Sequence, residues 1–187
     1  MKYSLVEHPW LKKLSERLPG QSRSARAVRV MGKALLSGKS VVREKRVFFE
    51  GVEDAILESH LTVGPGPGEV LVETIYSAVS PGTERAYFLD LPNFHQERPY
   101  GPGYSGCGRI RALGRNVTGL GKGALVAGLL KHSSQNVVAA ESLQILPLGV
   151  EPRDAAFTTL GGIALCGIRA AGDLEGRRMA VVGQGIL

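Results

Sequence analysis

The end of the chain carries the residue spacing most typical of cofactor binding. Arg178–Val182 predicts a buried strand, and Gly183-Gln184-Gly185 follows it directly. Glycines at this spacing allow a tight turn after a strand and a close approach of the backbone to a pyrophosphate. The third glycine and the ribose-binding acid of such a motif would lie beyond Leu187. We therefore expect Gly183 and Gly185 to begin a dinucleotide-binding motif; an ordinary turn is the alternative in a chain with 25 glycines.

The cysteines and histidines show no metal-ligand spacing. Cys107 and Cys166 are flanked by small and apolar residues, so we expect two buried side chains in a reducing, cytoplasmic environment. His132 follows a predicted strand and could enter a substrate pocket, but we favour a solvated loop position. The other histidines have no partner at ligand spacing: His8, His60 and His95.

The composition indicates a β-rich globular protein. A chain of 187 residues with 43% hydrophobic content is long enough for one well-buried domain but short for two. Its 25 glycines and 10 prolines, with 6% aromatic residues, favour tight turns between short strands. The longest apolar stretches, such as Gly123–Leu130, are far shorter than the roughly 18 to 20 residues of a membrane-spanning helix. We therefore expect no membrane partner.

Short β-type segments separated by glycines predict a closed or partly open barrel. In chain order these segments are Val47–Phe49, Ala55–Glu58, Glu69–Tyr76, Gly108–Leu113, Ala124–Ala127 and Asn136–Ala140. Helices are predicted on both sides of the barrel. They are a short amphipathic helix over residues 9–18, a second within 21–40, a helix start at Pro152–Phe157 and a helix over Gly161–Ala171.

The positive charge is concentrated at the N-terminus. Residues 1–46 hold 12 of the 23 Lys and Arg residues but only 3 of the 17 Asp and Glu residues. Such a basic arm could contact nucleic acid or an anionic surface. No recognised binding motif accompanies it, so we favour a solvated arm that packs on its own protein or on a sister subunit, and we expect no nucleic-acid partner.

Four segments in order resemble the medium-chain dehydrogenase/reductase superfamily. They are GPGEVLV (66–72), SPGTE (80–84), PGYSGCGRI (102–110) and LGGIALCGIR (160–169). The resemblance covers residues 41–187 and implies a GroES-like (chaperonin-10-like) catalytic domain before a Rossmann domain. The SPGTE segment is most similar to the threonine-dehydrogenase-like or bacteriochlorophyllide-dehydrogenase-like subgroup.

The resemblance also implies an absence of zinc. Zinc-dependent members of this superfamily bind the metal with thiolate, imidazole and a further thiolate or carboxylate. In this sequence the first ligand position is Ser80 or Pro81, the second falls in Gly103-Tyr104-Ser105, and the third falls near Gly161 or Gly162. The structural zinc lobe needs four close cysteines, which are missing. We therefore expect no zinc.

Without a metal, hydrogen-bond donors must polarise the substrate oxygen while a nicotinamide supplies hydride. Four side chains could donate such a hydrogen bond: Tyr104, Ser105, Ser80 and Thr83. Tyr104 is the first candidate because it occupies a metal-ligand position and its phenol can give a proton. The alternative for Tyr104 is simple packing beside the glycines. Glu84 matches the acidic residue after the first ligand loop. Glu84 could form an ion pair with Arg85 or Arg109, and a surface ion pair without a role in catalysis is the simpler interpretation.

These observations predict three segments: a basic N-terminal arm with short helices (1–40), a GroES-like catalytic domain (41–152), and linker helices with the first strand and glycine turn of an incomplete Rossmann domain (153–187). The fold class is mainly β with flanking helices. The predicted function is that of a zinc-independent NAD- or NADP-dependent oxidoreductase acting on a carbonyl, alcohol or enone, inactive as this fragment; at full length a homo-oligomer and a monomer are both open. A non-enzymatic β-barrel module for binding or assembly, with the basic arm as its contact surface, is the alternative.

Overall fold

The computed structural model describes residues 23–183, 185 and 186. The helix predicted over residues 9–18 lies outside the described residues. Helix α1 (Arg23–Ser37) confirms the helix predicted within 21–40. It packs on the following hairpin through Ala25 and Ala34, which are buried. None of the described helices is long and apolar enough to cross a membrane.

A long hairpin forms the first sheet. β1 (Val41–Gly51) pairs antiparallel with β2 (Asp54–Val63). The two strands were predicted at the right places but are much longer than the apolar segments that signalled them. Arg26 of α1 bonds to Glu58 of β2 at 2.9 Å, and both side chains are largely buried. Part of the basic arm therefore packs on its own protein.

Five antiparallel strands form the second sheet, a curled half-barrel. In spatial order its strands are β6 (Gln135–Ala139), β3 (Glu69–Ser77), β4 (Gly106–Leu113), β5 (Leu125–Gly128) and β7 (Leu143–Ile145). The predicted barrel is thus confirmed as partly open. β7 is too short to give a periodic signal and was not predicted.

The main core lies inside this half-barrel. Side chains alternate between the two faces of a strand, so Val70 and Val72 of β3 point to the same interior. Burying each such aliphatic side chain stabilises the fold by about 1.5–3 kcal/mol. The fully buried aliphatic residues of this core are Val70, Val72, Ile110, Val126 and Leu130.

Within the described part of the chain, three further α-helices flank the sheets, and a short 3-10 helix (Ala140–Ser142) precedes β7. α2 (Pro81–Phe88) follows β3 and begins with proline at its first turn, where the missing N–H costs nothing. α3 (Pro152–Ala155) packs through Ala155 and Ala156 on Cys107 and Ala127 of the sheet. α4 (Thr158–Ala170) confirms the predicted second linker helix.

The strand predicted over Arg178–Val182 is wrong for this chain. Residues 177–183 have no regular structure, and Val182 is 99% exposed. A buried parallel strand is stabilised by hydrogen bonds to neighbouring strands, and the described residues place none beside this segment. The turn signal itself is present, since Gly183 has a φ of +89°.

Candidate functional site

His132 lies inside the protein because its loop is bonded to both sheets. Its N–H donates to the carbonyl of Pro102 at 3.1 Å, and its carbonyl accepts from the N–H of Val47 at 3.0 Å. Gly103 permits this approach, because a Cβ there would lie 2.4 Å from the backbone nitrogen of His132. The expected solvated position is therefore wrong: the His132 side chain is only 10% exposed.

Glu84 is buried in the first turn of α2. Its Oε1 accepts the backbone N–H of Ser80 at 2.9 Å, and the positive end of the helix favours a carboxylate at this position. The expected surface pairing with Arg85 or Arg109 is wrong. Arg85 is exposed and forms no ion pair with Glu84 among the described residues, and Arg109 instead donates to the carbonyl of Gly123.

Ser77, His132 and Glu84 form one hydrogen-bonded chain. Nδ1 of His132 lies 2.8 Å from Oγ of Ser77, and Nε2 lies 2.7 Å from Oε2 of Glu84. With Glu84 ionised, Nε2 carries a proton and the Ser77 hydroxyl can donate to Nδ1 of a neutral imidazole. Because the pair is largely buried, salt screens it little. The arrangement places an imidazole nitrogen and a carboxylate oxygen close enough to share a proton.

The same chain borders a cavity of about 560 Å³. This volume is in the range of pockets for small molecules, which combine apolar walls with a few polar groups. Ser77, Glu84 and His132 supply polar groups here, and Arg85 adds a charged one. The remaining lining is apolar: Val47, Phe49, Val79, Pro81, Phe88 and Pro102.

The four expected hydroxyl donors lie outside the lining of this cavity. The hydroxyl of Ser105 donates at 2.6 Å to the carbonyl of Ala156, the residue directly after α3, so it holds the end of that helix on the barrel. Ser80 is buried, and its backbone amide contacts Glu84. Thr83 and Tyr104 are half-buried, and neither side chain bonds to a described residue. Of the five expected catalytic residues, Glu84 alone lines the cavity.

A second buried carboxylate lies beside this site. Oγ of Ser133 donates to Oε2 of Glu44 at 2.5 Å, and Arg46 lies 3.7 Å from the other oxygen. Burial raises the pKa of Glu44, although Ser133 and Arg46 act in the opposite direction. Burial, with Arg46 nearby, also lowers the pKa of Lys131. The loop 131–133 therefore connects two buried polar clusters through adjacent residues.

Sequence reasoning missed Ser77 and misplaced His132. Ser77 ends β3, while His132 lies 55 residues further along the chain, so no local spacing links the two. A signal did exist for Glu84. Ser80-Pro81 marks a helix start, and a carboxylate in the first turn is stabilised there.

The residues present do not fit a zinc site. Within residues 23–183, 185 and 186, no three His, Cys, Asp or Glu side chains are grouped so that they could hold a metal. Cys107 is fully buried, and burial raises the pKa of its thiol, which disfavours the thiolate that zinc needs. Cys166 is exposed on α4 rather than buried as expected. No step at this site is therefore assigned to zinc.

The half-barrel with flanking helices has the fold of the GroES-like domain found in medium-chain dehydrogenases/reductases, in agreement with the resemblance seen in the sequence. No protein-family model matches the sequence, and no curated protein matches it. Solved structures of this superfamily do match.

Three of these solved structures illustrate the similarity. Escherichia coli quinone oxidoreductase complexed with NADPH aligns at 21% identity with a TM-score of 0.58, over 66% of this chain and 40% of that one. The Pseudomonas syringae quinone oxidoreductase aligns at 26% identity and a TM-score of 0.56, over 65% and 39%. The 2R,3R-butanediol dehydrogenase of Bacillus subtilis aligns at 16% identity with a TM-score of 0.61, over 68% of this chain and 47% of that one. The chain thus spans less than half the length of each.

Proposed function

We propose that the chain is the catalytic-domain portion of a zinc-independent NAD(P)-dependent oxidoreductase that transfers hydride to or from a carbonyl, alcohol or enone. The observation that carries this proposal is the buried Ser77–His132–Glu84 chain beside a cavity of small-molecule size, within the GroES-like fold. In such enzymes the nicotinamide supplies or accepts hydride, and the protein positions the substrate and manages the proton.

Proton handling is the role we assign to His132 and Glu84. Nε2 of His132 holds a proton against the carboxylate, and Ser77 connects the other ring nitrogen to the cavity. A group that binds a proton beside an apolar pocket can give it to a substrate oxygen or take it back. Glu84 then stabilises the imidazolium form and orients the ring.

Tyr104 and Thr83 are proposed as additional donors to the substrate oxygen. Neither hydroxyl is engaged by a described residue, and both lie outside the cavity lining, so this role requires a substrate that extends beyond the cavity. Ser105 differs, because its hydroxyl is committed to a backbone carbonyl; we assign it a structural role. Gly183 and Gly185 are proposed to approach the pyrophosphate of the dinucleotide, as glycines of this motif do.

The test uses the whole protein that contains this chain, purified without chelator. We expect consumption of NADH or NADPH with a quinone, enone or aldehyde, and less than one equivalent of zinc per chain. His132→Gln should lower kcat by about 100-fold, while Arg115→Gln, on an exposed turn, should leave it unchanged.

Two results would contradict the proposal. One is an absence of turnover with either nicotinamide across the three substrate classes, which would favour the non-enzymatic module. The other is one equivalent of bound zinc that activity requires. For Tyr104, a Tyr104→Phe variant with unchanged kcat would show that the phenol only packs.

A further inference from the structure

One wall of the cavity carries a cation without a partner. Arg85 of α2 lines the cavity and is exposed, and its guanidinium bonds to no group in the described part of the chain. Several other arginines are engaged by carboxylates or carbonyls: Arg26 by Glu58, Arg98 by Gly51 and Tyr87, Arg109 by Gly123, and Arg111 by Glu73. Arg85 thus keeps its donors for a ligand.

The neighbouring Glu84 forms no ion pair with Arg85 among the described residues. The contacts of its carboxylate are with the backbone N–H of Ser80 and with His132. The five N–H donors of the Arg85 guanidinium therefore have no acceptor in the described part of the chain. The charge of Arg85 is therefore available at the cavity.

The other walls of the cavity are apolar. Val47 and Phe49 of β1 face the cavity from the hairpin, Phe88 contributes from α2, and Pro102 from the loop before β4. Removal of such apolar surface from water favours binding. The lining therefore favours a ligand with an apolar body.

We propose that this cavity binds small amphipathic carboxylates, with the carboxylate on Arg85 and the apolar body against the wall formed by Val47, Phe49 and Phe88. A planar guanidinium matches the two oxygens of a carboxylate. A single delocalised negative charge also costs less to desolvate beside apolar walls than a dianionic phosphate does. The inference goes beyond hydride transfer, because binding of this kind requires no nicotinamide.

Paired probes test the proposal directly. Octanoate and 1-octanol share one apolar body, and only octanoate carries a charge. In titration calorimetry with the 187-residue chain, octanoate should bind more tightly than 1-octanol. Arg85→Gln should weaken the binding of octanoate about five- to tenfold and leave the binding of 1-octanol unchanged. The factor is smaller than for a buried ion pair because Arg85 is exposed. Arg115→Gln, an equally exposed arginine distant in sequence, is the matched control.

A second variant locates the binding. Val79 lines the cavity but is 58% exposed, so Val79→Trp can narrow the cavity without repacking the core and should weaken both probes. The proposal is overturned if neither probe binds, if both bind equally to the native chain, or if Val79→Trp leaves both affinities unchanged. Binding that depends on Arg85 in a protein without nicotinamide turnover would refute the oxidoreductase proposal and leave this one intact.

Discussion

Replacement of Glu84 by alanine tests whether the buried hydrogen-bonded chain is real. The change leaves the Nε2 proton of His132 and the backbone N–H of Ser80 without their acceptor, since both bonds end on Glu84. An unsatisfied buried polar group costs about 1–3 kcal/mol. Two such groups give about 2–6 kcal/mol, and water entering the adjoining cavity reduces the cost. We therefore expect the free energy of unfolding to fall by about 3 kcal/mol.

Urea denaturation followed by circular dichroism measures this loss. For a slope of about 2 kcal/mol per molar urea, the midpoint should fall by about 1.5 M. Glu97→Ala is the control, because Glu97 is exposed and unpaired in the described fold. A Glu84→Ala midpoint that matches the Glu97→Ala midpoint would refute the buried pairing.

Glu84→Gln separates geometry from charge. The amide oxygen can still accept the N–H of Ser80, while the amide nitrogen must donate to Nε2 of His132. The imidazole should then carry its proton on Nδ1, facing Ser77. Nitrogen NMR of the histidine ring distinguishes the two tautomers. An unchanged tautomer in Glu84→Gln would contradict the assigned direction of the proton.

Three further predictions concern the rest of the fold. Burial, with Arg46 nearby, lowers the pKa of His60. As the pH falls, the unfolded chain therefore binds a proton at this histidine before the folded chain does, so the free energy of unfolding should decrease from about pH 6.5 down through the lowered pKa. Urea titrations should show that His60→Phe flattens this pH dependence. Gly114→Ala should destabilise the fold by about 3 kcal/mol or more in thermal unfolding, because the new Cβ would lie within van der Waals overlap of the Gly66 carbonyl oxygen. With Ellman's reagent the native protein should react at Cys166 alone, and a second thiol should appear in urea.

Each of these has its own internal control. Gly121→Ala places its Cβ in open space, so it should change stability far less than Gly114→Ala; equal effects would show that close packing is not the cause. A pH dependence that His60→Phe does not alter would remove His60 as its source. Rapid labelling of two thiols in the native state would contradict the burial of Cys107.

The architecture was largely accessible from the sequence because its signals are local. Alternating apolar residues such as Val70 and Val72 indicate a half-buried strand, and glycines separate the strands. α2 was missed because its eight residues, Pro81–Phe88, include a glycine and carry little apolar periodicity. The prediction of a strand at 178–182 was wrong because a strand forms there only beside neighbouring strands, and a local sequence pattern does not show whether these are present.

The candidate site was only partly accessible, for a related reason. Glu84 could be singled out, but its partner lies 48 residues away in the sequence. His132 is buried because its loop packs closely against Gly103. The sequence shows that Gly103 is a glycine but does not indicate which segment of the backbone packs against it. Hydroxyl groups such as that of Ser105 were expected to act on substrate, yet a backbone carbonyl occupies this one.

The separation of the two sheets has an evolutionary consequence. Val47 and Phe49 belong to a hairpin that forms a sheet of its own; among the described residues, it is joined to the loops of the five-stranded sheet by the isolated bridges Arg46 to Ser133 and Phe49 to Tyr100 and by further hydrogen bonds. Glu84 and His132 lie outside that hairpin. Side-chain substitutions at Val47 and Phe49 can therefore change two of the residues that line the cavity while the Glu84–His132 hydrogen bond is retained, so the shape of the cavity and this polar pair can vary separately in evolution.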